Sequence, residues 1–239
     1  MALRLSPNLN LKRLAGQVLI VVGLASIGGW AWLGWGQNMM DALQQRQVAS
    51  ALGNAWSSAT PAATPASKII PVLGSEPVIN TVFGRIFAPR LGENWVRPIA
   101  DGVSVPKVLN RFGTGHYPES QLPGAIGNFA IAGHRTTYGA AFNDIDKFRV
   151  GDSIYIETKD GFYRYQVVRN FTVWPTNRSV IAANPLHPGL KASERWLTLT
   201  TCTPRYTAER RLVVQAKFES FTAHGTSAPS EIAKLVAQL

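Results

Sequence analysis

Between Trp196 and Phe218 the chain reads WLTLTTCTPRYTAERRLVVQAKF, two alternating runs around its only cysteine. Leu197, Leu199 and Thr201 share one phase of a two-residue period, and Thr198, Thr200 and Cys202 share the other. Leucine and threonine suit a half-buried strand. Thr203-Pro204 ends it, because proline cannot donate to a ladder. In the second run Leu212, Val214, Ala216 and Phe218 take the core phase, and Arg211, Val213, Gln215 and Lys217 the opposite one. Cys202 is thereby placed at the C-terminal lip of one strand. Arg211 opens the next, facing away from the core, while Arg210 is in phase with it. Alone, the pattern also fits a structural cysteine beside solvated arginines, the commoner use of an unpaired thiol.

The spacing predicts further strands over 82–86, 95–99, 128–132 and 153–157. Lys159-Asp160-Gly161 marks a hairpin turn. Beyond it Tyr163, Tyr165, Val167, Phe171 and Val173 share a phase and predict one long strand. Short helices are expected within 102–109 and over 142–148, and 231–239 allows another. About eight short strands bounded by turns argue an all-β fold, closed or sandwich-like. No period of repeat length recurs.

The N-terminal part obeys different rules. Arg4, Lys12 and Arg13 precede a stretch without charge from Leu14 to Met40. At 1.5 Å per residue this crosses the roughly 30 Å of a bilayer's hydrocarbon. Trp30, Trp32 and Trp35 cluster at its far end, where indoles favour the interface. Residues 1–13 are expected in the cytoplasm and 14–37 as an uncleaved transmembrane signal anchor. Residues 38–68 are expected as a stalk, in which 39–52 can extend the helix, and an Ala/Ser/Thr/Pro-rich linker over 50–67, a spacer that lifts the domain off the membrane. A folded domain is expected over 69–224 and a tail over 225–239. The reading is a single-pass membrane protein, bound to lipid through this helix, with its domain on the extracellular face. The alternative is a cleaved signal peptide, with Ala49-Ser50-Ala51 resembling a cleavage site.

The net charge of +10 raises nucleic acid as a partner, but the cations are scattered and carry no recognisable motif, so nucleic acid is not expected. A basic ectodomain close to anionic lipid or wall polymer accounts for the charge equally well. One cysteine allows no intrachain disulfide, and an exported unpaired thiol is a candidate reactive group. No His/Cys spacing suits zinc, Asp144 and Asp146 fit a solvated helical turn better than a calcium site, and no glycine motif cradles phosphate. Neither metal nor cofactor is expected.

A cysteine nucleophile needs thiolate character and a proton carrier, most often histidine. Of His116, His134, His187 and His224, only His134 ends an apolar strand as Cys202 does. At this point the chain resembles a known family. TLTTC ending at Cys202, with Arg211 beyond it, looks like the sortase active-site motif, and GHRTTYG around His134 resembles the sortase histidine segment. The run GTGHYPESQLPGAIGNFAIAGHRTTYGAAFNDIDKFRVGD is especially similar to class E sortases of high-GC Gram-positive bacteria. The resemblance covers roughly Val82 to Phe218.

It implies the eight-stranded sortase β-barrel and a cysteine transpeptidase. Cys202 would attack the threonine carbonyl of an LPXTG-like sorting signal on a secreted protein. His134 would move the proton, Arg211 would hold the substrate backbone or oxyanion, and a cell-wall precursor amine would accept the acyl group. Class E members favour LAXTG, a choice linked to the tyrosine of the GHYP segment, here Tyr117. Thr200 and Thr201 are candidates for hydroxyl contacts with the substrate. Thr203 departs from the pattern, since class E enzymes often carry histidine directly after the cysteine.

Three other readings compete. An L,D-transpeptidase would carry serine and glycine before its cysteine, where Thr200 and Thr201 stand. A papain-like hydrolase places its cysteine before its histidine, the reverse of the order here. A non-catalytic, membrane-tethered wall-binding module would need neither side chain.

Overall fold

The alternating segments form eight strands: β1 (Val82–Phe87), β2 (Val96–Asp101), β3 (Thr114–His116), β4 (Gly127–Gly133), β5 (Ser153–Thr158), β6 (Gly161–Val173), β7 (Arg195–Thr203) and β8 (Arg210–Ala223). The computed structural model describes residues 11–57, 70–73 and 76–239. The strands close into a barrel in the order β1-β2-β3-β4-β7-β8-β6-β5, and β5 returns to β1. Closure removes exposed sheet edges. The β2–β3 and β4–β7 joins are parallel and the other six antiparallel. The parallel β4–β7 join brings the C-terminal ends of these two strands to one rim.

The barrel interior follows the sequence phase. Leu197 and Leu199 meet Leu212, Val214 and Ala216 there, with Phe129, Ile131, Tyr163 and Tyr165. Each fully buried large side chain contributes about 1.5–3 kcal/mol. The opposite phase of β7 and β8 is buried too. Val213 packs with Ala130, Val180 and Ile181, under the turn Arg178–Ile181. Its polar groups are satisfied: Thr198 Oγ1 donates to Asn128 Oδ1 at 2.8 Å, and Asn128 Nδ2 donates to Val180 O at 3.0 Å.

Two expectations change. The long strand β6 does not keep one phase. Its pairing with β8 shifts between Val167 and Arg169, so Tyr163, Tyr165 and Val167 face the interior, whereas Phe171 and Val173 pack on the outer cluster. One extra residue in a bulge exchanges the two faces. The expected helix over 142–148 shrinks to the turn Ile145–Lys147. Ala141, Phe142, Ile145 and Phe148 all enter the barrel core, so packing rather than a helical ladder fixes this segment.

Helix α1 (Leu11–Ala31), a π-turn (Trp32–Gly36) and α2 (Gln37–Ser57) run on from one another. This is one helix, Lys12–Trp56, long and apolar enough in its first part to cross a membrane. The helix runs through the stalk of 39–52 and on into the first part of the stretch read as a spacer. α2 is helical to Ser57 and docks on the barrel, with Gln45 and Ala49 fully buried. The small residues that suggested a linker instead permit close approach. A side chain at Gly53 would collide with the Arg85 guanidinium, and Arg85 Nη1 donates to Ala49 O at 3.1 Å. Residues 1–10 of the segment expected in the cytoplasm, and the remaining linker, 58–68, lie outside the described residues.

Two further helices complete the chain. α3 (Asn110–Phe112) follows a π-turn (Val105–Leu109), and α4 (Ser230–Val236) buries Ile232 and Leu235 in a cluster with Ala49, Phe87 and Phe162.

Candidate active site

Cys202 and Arg211 are directly opposed on β7 and β8, next to the last pair of that ladder, Thr203–Arg210. Opposed residues share a face, with Cβ atoms about 4.5–5.5 Å apart. Burial falls toward the rim: Thr200 is 4% and Thr201 3% exposed, whereas Cys202 is half-buried and unpaired. Arg211 Nη1 donates to Ala208 O at 3.0 Å and to Arg210 O at 3.1 Å. The backbone thus holds the guanidinium, and it forms no salt bridge with a carboxylate among the described residues. Its remaining N–H groups can meet an anion.

His134 follows the last residue of β4. The parallel ladder pairs Ala132 with Thr200, and two residues further along each chain stand His134 and Cys202. Two hydrogen bonds pin the crossing on either side of the histidine. Thr201 Oγ1 donates to Gly133 O at 2.8 Å, and Arg135 Nη1 donates to Cys202 O at 3.4 Å. The imidazole Nε2 pairs with Asn110 Oδ1 at 2.8 Å, and its ring lies 5.2 Å from that of Tyr138. An amide oxygen can only accept, so Nε2 donates and Nδ1 of the neutral ring is left as acceptor. Burial lowers the pKa of His134 below the ordinary histidine value, which keeps the imidazole neutral at neutral pH. A neutral imidazole beside a thiol can take its proton.

Asn110 escaped the sequence reading. It lies at the start of a three-residue helix, with no pattern to mark it. The other three histidines lie elsewhere. His116 is buried with its Nδ1 2.7 Å from Asp101 Oδ1, His187 is in an exposed loop, and His224 bonds Thr158 O at 2.8 Å.

The Tyr117 hydroxyl is 3.0 Å from Thr200 Oγ1, so these two candidates are joined. Tyr117 is half-buried, between clusters containing Ala130 and Ala132. Thr201 points to the other face of β7, and its hydroxyl proton is committed to Gly133 O. Thr203, opposite Arg210, is half-exposed at the lip, and the Arg210 guanidinium lies 3.3 Å from the centroid of the Trp174 ring.

This arrangement can be compared with known proteins. A family model described as a sortase domain matches residues 86–219. Sortase SrtE1 of Streptomyces coelicolor is 35% identical over 212 residues, covering 86% of this chain and 56% of its own length. Sortase SrtE2 of the same organism is 37% identical over 140 residues, 55% of this chain and 53% of its own. The chain thus spans about half the length of the curated relatives it matches. Among solved structures, sortase E1 from Streptomyces coelicolor with a tripeptide in the active site superposes with a TM-score of 0.60. It is 35% identical and aligns with 66% of this chain and 99% of its own. Sortase E from Streptomyces avermitilis gives 0.59 at 33% identity, over 65% of this chain and 99% of its own. A barrel whose rim carries the single thiol, a facing arginine and a strand-end histidine, together with these likenesses, shows that the chain belongs to the sortase family and is like its class E members.

Proposed function

We propose that this chain is a membrane-anchored cysteine transpeptidase that cleaves an LPXTG-like sorting signal, LAXTG in particular, after its threonine. The observation that carries the reading is the cross-strand Cys202–Arg211 pair at the rim where β4 delivers His134. The family match supports the reaction class, and the tripeptide in the active site of the Streptomyces coelicolor enzyme supports a peptide substrate.

In the first half-reaction His134 takes the Cys202 proton and Sγ attacks the threonine carbonyl carbon. The carbonyl oxygen becomes an oxyanion next to Arg211. The threonine–glycine C–N bond then breaks, and the imidazolium gives its proton to the leaving amine. A thioester on Cys202 remains. In the second half-reaction an amine of a cell-wall precursor attacks that thioester, His134 accepts the amine proton, and the C–S bond breaks to release the thiolate, which takes that proton back from the imidazolium. One donor aimed at an oxyanion contributes about 3 kcal/mol to such a transition state. Tyr117, half-buried beside Thr200, would shape the subsite for the second signal residue. Thr200 would steady Tyr117 there, and Thr201, bonded to Gly133 O, would steady the end of β4 that carries His134.

The domain assignment belongs to the same proposal. Residues 1–13 are cytoplasmic, 14–37 cross the membrane, and the barrel with its C-terminal tail lies on the extracellular face. The decisive experiment is mass spectrometry of the full chain incubated with an LAXTG peptide. A thioester adduct on Cys202, absent from Cys202→Ala, supports the reading. Equal peptide retention by both proteins without cleavage would make the chain a binding module instead.

A further inference from the structure

We infer that α2, directly after the membrane-crossing stretch, is part of the active-site scaffold, and that Asn38 and Gln45 are positioning residues for His134. The inference rests on the reading of His134 as the proton carrier.

Two side chains of α2 satisfy three backbone groups of the loop that follows His134. Asn38 Nδ2 donates to Thr136 O at 2.9 Å, and Asn38 Oδ1 accepts from Gly139 N at 3.2 Å. Gln45 Nε2 donates to Tyr138 O at 2.8 Å. The loop needs such support. Tyr138, Gly139 and Ala140 have φ of 51°, 79° and 45°, three left-handed residues in succession, two of them not glycine. L-residues hold that conformation only where their surroundings impose it. The ring of Tyr138 in turn packs on the imidazole.

Gln45 also reaches the second support of His134. It is fully buried, and a Cβ on Gly113 would collide with its amide. Gly113 caps α3, which carries Asn110, the partner of Nε2. One glutamine of the juxtamembrane helix therefore lies between the two segments that grip the imidazole. Asn38 stands in the first turn of α2, close to Trp30, Trp32 and Trp35 at the end of the apolar stretch. The position of the helix at the interface and the setting of the imidazole are thereby mechanically joined.

The test uses the full chain in detergent micelles, with Asn38→Ala and Gln45→Ala. The probe is cleavage of an LAXTG peptide, together with an NMR titration of His134 in a Cys202→Ala background. The titratable and charged groups around this rim, among them Arg111, Arg135 with its partner Asp146, Tyr138, Cys202, Arg210 and Arg211, are unchanged by both α2 substitutions. Expected is a kcat loss of about tenfold with KM within twofold, since small misplacements of a catalytic group cost rate rather than binding. The His134 titration should move up toward the ordinary histidine value as Tyr138 loosens. A kcat loss with an unmoved His134 titration would mark the contacts as merely structural and overturn the inference. Unchanged kcat and titration would overturn it equally. If Gln45→Ala does not fold, Asn38→Ala decides alone, because its side chain lies at the edge of the contact. His134→Ala separates the two levels. Full activity in that variant would remove the proton-carrier reading itself, whereas an inactive His134→Ala beside fully active α2 variants would remove only the inference drawn here.

Discussion

Substituting Glu157 should destabilise the barrel far more than removing the whole ion pair to which it belongs. Arg85 and Glu157 form a two-pronged contact between β1 and β5, with side chains only 3% and 2% exposed. Arg85 Nη2 lies 3.1 Å from Glu157 Oε1, and Arg85 Nε bonds the other oxygen. The guanidinium also reaches Ala49 O of α2 and lies over the Phe87 ring. Taking both charges out of water offsets much of their attraction, as is usual for buried ion pairs.

The consequence is asymmetric. Glu157→Gln leaves a buried guanidinium without its counter-charge, at a cost of about 3–5 kcal/mol. For a chain of this size that lowers the thermal midpoint by about 6–20 °C. Replacing both partners, Arg85→Met with Glu157→Leu, removes the desolvation penalty together with the attraction and should return the midpoint to near wild type. Circular-dichroism melts of the detergent-solubilised chain at pH 7 measure both. A single variant within about 1 kcal/mol of wild type, or a double variant as damaged as the single, would refute the argument.

Other outcomes test the site. Arg211→Ala should lower kcat by about 10²-fold, the effect of losing one oxyanion donor, and Arg211→Lys should recover only part of it because the fixed fork is gone. Because burial lowers His134 from its ordinary 6.5, the acid limb of kcat/KM for an LAXTG peptide should lie below that pH. Tyr117→Phe removes the bond to Thr200 and should change the LAXTG to LPXTG preference in a competition assay, while unchanged selectivity would take Tyr117 out of the subsite.

Alternation carried the part of the fold that depends on near neighbours. The phases of 196–202 and 211–218 were readable because each strand has the interior on one face, and Cys202 and Arg211 then fall on neighbouring strand ends. What escaped was long-range or irregular. The bulge in β6 turns Phe171 and Val173 outward, and nothing in their spacing marks the extra residue. Asn110 becomes visible only when α3 is laid against the end of β4. The small residues of 49–53 read as linker because composition does not distinguish a flexible spacer from a helix built for close contact. The burial of Gln45 and Ala49 on one face, four residues apart, resolves it in favour of contact.

That last distinction changes how the active site relates to the membrane. A flexible spacer would let the barrel tumble at a variable height, with the rim bearing Cys202 free to point anywhere. A helix docked through Gln45, Ala49 and the Arg85 contact instead gives the rim a set orientation relative to the apolar stretch proposed to cross the bilayer. Substrate and acceptor delivered from the membrane surface would then meet a groove already turned toward or away from them. Breaking the Arg85–Ala49 contact should alter turnover of a membrane-tethered sorting signal more than that of a free peptide. In a comparison of the two substrates with Arg85→Met/Glu157→Leu, equal losses on both would return the helix to the status of a passive tether.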